Sequence, residues 1–162
     1  MGVEIERKFL VLQEKWEQLV KPEGHFFRQG YLLTDPQKTI RIRITSDTAF
    51  LTIKGLSIGA SRPEFEYEIP INDAKELLDN FTGTGISKIR YNIPYQSKLW
   101  EVDVFLDENE GLIVAEIELE NETEKFELPD FIGQEVTGDE KYYNSSLSVK
   151  PFKDWPKVNS EL

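Results

Sequence analysis

The N-terminal segment carries two acids and one base at alternating positions, Glu4, Glu6 and Lys8. Apolar residues such as Ile5 and Phe9 occupy the odd-numbered positions between and beside them. Side chains at i, i+2 and i+4 of a β-strand point to the same face of its sheet, so the spacing predicts a strand over 3–11 with one charged face. Carboxylates bind hard cations such as Mg²⁺, and ammonium groups bind phosphate oxygens. In a single strand, such a row most often indicates a half-buried strand whose outer face is exposed to solvent.

Six further segments repeat this pattern of one charged and one apolar face. Their charged positions are Arg41/Arg43, Lys54, Lys88/Arg90, Glu64/Glu66/Glu68, Glu101/Asp103 and Glu116/Glu118/Glu120. Like charges in a row repel each other, and an exposed surface is more stable with mixed signs. Two arrangements fit these sorted charges. Either the apolar faces form the core and the charges meet solvent, or the sheet closes into a barrel with the charges inside.

The second arrangement predicts a polyphosphate site. A barrel of about eight strands encloses room for side chains or one small ligand. Like charges enclosed there would be very costly unless an anion and divalent metal ions compensated them. Mg²⁺ and Mn²⁺ prefer oxygen ligands, whereas Arg and Lys bind phosphate. The sequence contains no G-x-x-x-x-G-K-[ST] loop, so we expect no P-loop phosphate binding.

Most of the chain has strand-like patterns, near 3–11, 26–34, 39–46, 49–55, 63–70, 87–94, 98–106 and 112–121. Short connections rich in Gly and Pro favour antiparallel pairing, and eight strands can close into a barrel without free edges. Helix-like patterns cover 13–20 and 72–80, the second capped by Asn72. Residues 129–134 and 144–149 are expected to form short helical turns. We predict a mainly β, α+β domain over 1–150 and a loosely held tail over 151–162.

Composition limits the classes of partner. The 162-residue chain has a net charge of −11, which repels nucleic acid and anionic membranes. It has no apolar run approaching the roughly 20 residues of a membrane span and no signal-peptide pattern. We therefore expect a cytoplasmic protein with neither nucleic-acid nor membrane partners. The absence of cysteine excludes disulfides and thiolate metal sites.

The N-terminal E-x-E-x-K pattern resembles the signature of the CYTH superfamily, the triphosphate tunnel metalloenzymes. Eight further blocks resemble the family in its order: RQGYL (28–32), IRIR (40–43), LTIKG (51–55), RPEFEYEI (62–69), KIRYNI (88–93), WEVDVF (100–105), VAEIELE (114–120) and VTGDEKYYNSSL (136–147). One E-x-E-x-K is a weak pattern, but eight ordered blocks up to about residue 149 are specific.

The resemblance implies an eight-stranded antiparallel tunnel that binds triphosphates with Mg²⁺ or Mn²⁺. By position, the residues that grip phosphate would be Lys8, Arg41, Arg43, Lys54, Lys88 and Arg90. The leading metal ligands would be Glu4, Glu6, Glu116 and Glu118, supported by Asp103, Glu64 and Glu66. Tyr31 resembles a family tyrosine proposed as proton acceptor, with aromatic packing as the alternative. Glu68, Glu101 and Glu120 fit equally well as solvated or structural carboxylates, and Lys141 stands where relatives often have Arg.

The implied activity is metal-dependent hydrolysis of a phosphoanhydride, with a small-molecule triphosphate as substrate. Inorganic tripolyphosphate is the first expectation, because no additional block for nucleoside recognition is evident. ATP or thiamine triphosphate stays open as substrate, since the family also contains class IV adenylyl cyclases and thiamine triphosphatases. A non-catalytic polyphosphate-binding module is a further alternative. The sequence leaves the oligomeric state open, including a homodimer.

Overall fold

A computed structural model describes residues 2–35 and 37–156. The strands are β1 (Gly2–Val11), β2 (His25–Leu33), β3 (Lys38–Thr45), β4 (Thr48–Gly55), β5 (Ser61–Ile69), β6 (Ile86–Tyr95), β7 (Lys98–Phe105), β8 (Ile113–Glu118) and β9 (Ile132–Glu135). The α-helices are α1 (Gln13–Gln18), α2 (Ile71–Phe81) and α3 (Asn144–Leu147). Short 3₁₀ turns cover Asp107–Asn109, Glu140–Tyr142 and Phe152–Asp154. No helix in the described ranges is long and apolar enough to cross a membrane.

Eight strands close into a ring in the order β5-β4-β3-β2-β6-β7-β8-β1, and β1 pairs back with β5. Every pairing is antiparallel. One edge of β1 is divided between two partners: Gly2–Ile5 pairs with β5, whereas Phe9 and Val11 pair with β9. The predicted eight-stranded antiparallel barrel is confirmed, and β9 is an additional strand beside it.

A tight hairpin shows how local sequence sets the strand register. Gln96 and Ser97 both have positive φ, at 49° and 64°, between the paired residues Tyr95 and Lys98. Two positive φ values in a two-residue loop define a type I′ turn, whose twist matches that of the flanking strands. The turn places Arg90 opposite Asp103 farther along the same strand pair.

The apolar faces of the strands point outward, where helices and loops cover them. Trp16 of α1 packs edge-to-face against Tyr91 and Phe131, with ring centroids 5.3 and 5.6 Å apart. On another side, Ala74 and Leu78 of α2 belong to one cluster with outward residues of β3 and β4. The hydrophobic core therefore lies outside the barrel, as the second arrangement predicts.

Three local predictions were wrong. Helix α2 begins at Ile71 after Pro70, not at a cap formed by Asn72; the φ of Pro70 is −60°, and its carbonyl accepts the Ala74 N–H at 3.0 Å. Part of 129–134 lies in strand β9, because that segment pairs with the free edge of β1.

The third difference concerns the tail. Its first part, up to residue 156, packs instead of hanging loosely, since Phe152 and Trp155 pack edge-to-face and Trp155 also contacts Tyr142. The rest of the predicted tail, 157–162, lies outside the described residues. The helical turn predicted within 144–149 is confirmed as α3.

Gly30 provides a test of the packing of α2 on β2. A Cβ atom there would lie 2.8 Å from Thr82 Oγ1 and 2.9 Å from Leu78 Cδ2. Gly30→Ala should therefore push the helix from the sheet and lower the free energy of unfolding by about 1–3 kcal/mol, as overpacking does. Gly83→Ala is the control, because no described atom lies within 4 Å of its Cβ position. Urea unfolding curves with equal midpoints for the two variants would contradict the predicted close contact.

Candidate active site

The barrel encloses a cavity of about 240 Å³ lined mostly by charged side chains. Their inward direction follows from the strand alternation, which places each charged row opposite an apolar row. The predicted site residues on its wall are Glu4, Glu6, Lys8, Tyr31, Arg41, Arg43, Lys54, Glu64, Glu66, Lys88, Arg90, Glu116 and Glu118. The remaining predicted residue, Asp103, is 3% exposed and lies behind this wall. The structure thus brings together residues from every charged row selected from the sequence.

Asp103 anchors the most buried ion-pair cluster. It accepts hydrogen bonds from Arg90 Nε and Nη2 at 2.7 and 2.9 Å, and from Lys88 Nζ at 2.7 Å. Burial alone would raise the pKa of Asp103, but Arg90 and Lys88 outweigh burial and hold this pKa well below its usual range. Burial likewise opposes the charge of Arg90, yet the contact with Asp103 raises the pKa of Arg90. Asp103 therefore stays ionised and fixes the two cations.

One part of the cavity carries more positive charge than its acids neutralise. Burial, aided by Arg90 and Arg43 and opposed by Asp103, lowers the pKa of Lys88 to about 7. Burial together with Arg41 and Arg90 lowers the pKa of Arg43 to about 9. Cations that destabilise each other in this way would be stabilised by a bound anion.

An aromatic ring partly offsets this repulsion. The Cζ atoms of Arg43 and Arg90 each lie 5.0 Å from the ring centroid of Phe27, and Lys88 Nζ lies 5.9 Å from it. The negative face of an aromatic ring attracts cations at such distances. Phe27 therefore helps to hold three like charges together.

Another part of the cavity carries excess negative charge. Glu6 and Glu118 are register partners on β1 and β8, and neither forms a salt bridge within the described ranges. Burial raises the pKa of Glu6, and the nearby carboxylates of Glu116 and Glu4 raise it further. Burial also raises the pKa of Glu118, with contributions from Glu4 and other acids. Carboxylates that destabilise each other in this way would be stabilised by a bound cation.

The donor set fits a hard divalent metal. The described residues contain no preassembled group of three Asp, Glu or His side chains in a metal-binding arrangement. Mg²⁺ does not need one, because it usually takes one or two protein carboxylates and completes its shell with water and substrate phosphates. Glu6 and Glu118 provide such a pair, and Glu4 lies close enough to raise the pKa of Glu118.

Most other acids of the wall are engaged by cations. Lys54 Nζ lies 2.9 Å from Glu4 and 3.5 Å from Glu64. Glu116 lies 3.3 Å from Lys8 Nζ, and although burial opposes it, Lys8 and Arg90 lower the pKa of Glu116 to about 2. Paired carboxylates of this kind hold the cations in place.

Glu66 also pairs with a cation, lying 3.6 Å from Arg41 Nη2. Glu101 lines the cavity, whereas Glu68 and Glu120 are exposed and do not. Lys141 also lies off the cavity wall, with its ammonium 4.8 Å from the ring of Trp155 and 5.2 Å from that of Tyr142. Of the three carboxylates whose role the sequence left open, Glu101 therefore lies on the cavity wall, and Glu68 and Glu120 lie outside the cavity.

Three neutral polar residues that contact or form the wall were not selected from the sequence. Thr52 Oγ1 donates to Glu66 at 3.0 Å and accepts from Arg41 Nη2 at 3.1 Å. Gln29 is fully buried, and its Nε2 donates to the hydroxyl of Tyr31 at 3.4 Å. Each lies two residues from a selected residue on its strand, so the alternation alone could have identified it. Asn144 gave no such signal, because it comes from α3 and not from a strand.

The fold and the cavity define a class of protein: a closed β-tunnel whose opposed cations and carboxylates suit a polyanion with divalent metal. The CYTH domain family matches residues 2–150, and the chain belongs to this family.

Similar proteins extend over nearly the whole chain. An inorganic triphosphatase of Acetivibrio thermocellus is 47% identical over 156 residues, which are 96% of this chain and 99% of that protein. An inorganic triphosphatase of Nitrosomonas europaea is 34% identical, with 90% of this chain and 97% of that protein covered. A crystal structure of an inorganic triphosphatase superposes with a TM-score of 0.64 at 31% identity, covering 92% of this chain and 96% of the other.

The low pKa of Lys88 predicts a pH dependence of stability. Between about pH 7 and pH 10 the unfolded chain keeps a proton that the folded chain has released from Lys88, so the free energy of unfolding should rise with pH across this window. Lys88→Met should lack this contribution and show a smaller rise, measured by urea unfolding at several pH values. Lys150→Met, at an exposed position, controls for the loss of one surface charge. Equal slopes for the wild type and Lys88→Met would refute the prediction.

Proposed function

We propose that this protein is a divalent-metal-dependent inorganic triphosphatase that hydrolyses tripolyphosphate to pyrophosphate and phosphate inside the tunnel. The observation that carries the proposal is that one cavity wall brings excess cations around Lys88 and Arg43 together with carboxylates, at Glu6 and Glu118, that have no cation partner within the described ranges. The extent of the similarity to two inorganic triphosphatases supports the same conclusion.

The cations are the proposed phosphate ligands: Lys8, Arg41, Arg43, Lys54, Lys88 and Arg90. Arg41 supports this assignment, because its buried Nε has no hydrogen-bond partner among the described residues. A buried donor without an acceptor is costly, and a phosphate oxygen would satisfy it. Anion binding would also relieve the repulsion that lowers the pKa values of Lys88 and Arg43. Binding energy thus comes from charges that are already held in place.

The proposed metal ligands are Glu6 and Glu118, with Glu4 and Glu116 nearby. Mg²⁺ or Mn²⁺ held there would neutralise phosphate oxygens and activate a water molecule. We assign Asp103, Glu64 and Glu66 a supporting role, because each one already pairs with a cation of the wall.

In the proposed reaction, a water oxygen bonds to a terminal phosphorus, the bridging P–O bond breaks and pyrophosphate leaves. The fixed guanidinium and ammonium groups stabilise charge on the transferred and departing phosphates without reorganising. Tyr31 is the proposed acceptor of the water proton, a role for which its phenolic oxygen must first have lost its own proton. It faces the cavity in register with Arg41, and Gln29 holds its hydroxyl.

An activity panel tests the proposed function. With Mg²⁺ or Mn²⁺, tripolyphosphate should be split into equal amounts of phosphate and pyrophosphate, faster than ATP or thiamine triphosphate. Products are quantified by ion chromatography, and cyclic AMP is measured in the ATP reactions. Cyclic AMP as the main product would show a cyclase, and saturable binding without turnover would show a binding module. Either result overturns the proposal.

Glu6→Gln tests the metal assignment. Glu6 is a proposed ligand with no cation partner within the described ranges, so its loss should lower Mn²⁺ affinity, and turnover with it, by at least the roughly 10- to 100-fold that loss of an outer-shell partner costs. Metal binding is followed by the electron paramagnetic resonance signal of free Mn²⁺. Glu120→Gln is the matched control, because this exposed carboxylate lies off the cavity wall. Wild-type Mn²⁺ affinity in Glu6→Gln would remove Glu6 from the site.

A further inference from the structure

Asn144 enters the tunnel from outside the barrel sheet. It is the first residue of α3, and together with its neighbour Tyr143 it lines the cavity. Leu147 of the same helix is fully buried in a cluster with Ile86 and Phe105. This packing fixes the helix against the barrel, so the side chain of Asn144 has a defined position.

The amide oxygen of Asn144 accepts two hydrogen bonds. Lys88 Nζ donates to Oδ1 at 2.9 Å, and Gln29 Nε2 donates to it at 3.2 Å. A lysine ammonium can only donate, so the contact with Lys88 decides which way the amide of Asn144 points. Gln29 is oriented in the same manner, because Arg43 Nε donates to its Oε1 at 3.3 Å.

These contacts leave one proton of Lys88 for a ligand. In its protonated form, which a bound anion favours, the ammonium has three N–H bonds, and within the described ranges two of them are directed to Asp103 and Asn144. Because the bonds are tetrahedral, two fixed acceptors also fix the direction of the third. Lys88 is 1% exposed and lines the cavity, so the third N–H has little solvent to reach.

Asn144 also connects cations of two strands. Lys88 lies on β6 and Arg43 on β3, and Gln29 of β2 joins Arg43 to the amide of Asn144. The neutral amide accepts from this network without adding negative charge to a surface that would bind an anion. An aspartate in its place would neutralise part of the positive charge.

We propose that Asn144 is a positioning residue for polyphosphate, which fixes the Lys88 ammonium so that its remaining N–H is directed to a phosphate oxygen. The inference rests on the proposed function, since polyphosphate is the ligand. The inference gives helix α3, which follows the last strand, a direct part in forming the site.

A double-mutant cycle tests whether Asn144 acts through Lys88. Leucine has nearly the shape of asparagine but cannot accept a hydrogen bond. Asn144→Leu should lower kcat/KM for tripolyphosphate by about 10- to 100-fold, the size expected for a hydrogen bond to a charged group. In a Lys88→Met background the same substitution should change kcat/KM by less than about twofold, because the partner is absent. Val149→Ala, an exposed change beyond α3, is the control and should keep wild-type activity.

A purely structural role gives a different pattern. Asn144→Leu would then lower kcat/KM by the same factor in both backgrounds, and that result overturns the inference. The Tm without ligand shows whether the variant folds; if Asn144→Leu does not fold, Asn144→Ala takes its place in the cycle.

A second readout separates the inference from the proposed hydrolysis. The rise in Tm caused by tripolyphosphate in EDTA reports binding without turnover. If the wild type binds tripolyphosphate but does not hydrolyse it, the proposed function fails. The inference then stands only if Asn144→Leu reduces the rise in Tm in the protein that keeps Lys88 and not in the Lys88→Met variant. A wild type with neither turnover nor a rise in Tm overturns both.

Discussion

Charges enclosed in a closed barrel must be neutralised locally, and this requirement organises the molecule. Asp103 meets it in part, by pairing with both Lys88 and Arg90. Two other regions do not: the cations near Arg43 repel each other, and Glu6 and Glu118 are register partners with no cation paired to them in the part of the chain that the structure describes. Removing ions from water is costly, so an unbalanced pair of regions of opposite sign is a reason for the molecule to bind an anion and a cation together.

Reserving the interior for charge moves the hydrophobic core to the outside. The largest cluster packs Trp16, Trp100 and Phe131 over the outer faces of strands that carry acids and bases inside. The barrel is thus a single sheet with a charged inner face and an apolar outer face. The inner face needs bound ions, and the outer face needs apolar side chains packed against it. Apolar burial by α1, α2 and the loop before β9 offsets the cost of the charged lining.

The sequence predicted what depends on strand alternation and missed what depends on tertiary placement. The alternation identified eight strands and the inward side of seven of them, because a one-residue shift would exchange the faces. It failed for β9, a four-residue strand that exists because it meets the free edge of β1. The alternation also missed Asn144, which lies on a helical turn and lines the cavity. It grouped the charges by strand, although they pair across strands, as Arg90 does with Asp103.

The divided edge of β1 has a consequence for how the protein is made. This strand is made before all of its partners, which lie around residues 61–64, 114–118 and 132–135. Contacts so distant along the chain form slowly, since long loops must close before any pairing is gained. Strand β1 therefore remains without most of its partners until the chain has been made to about residue 135. We expect the barrel to close only after that point, with binding of newly made chains by chaperones during that delay.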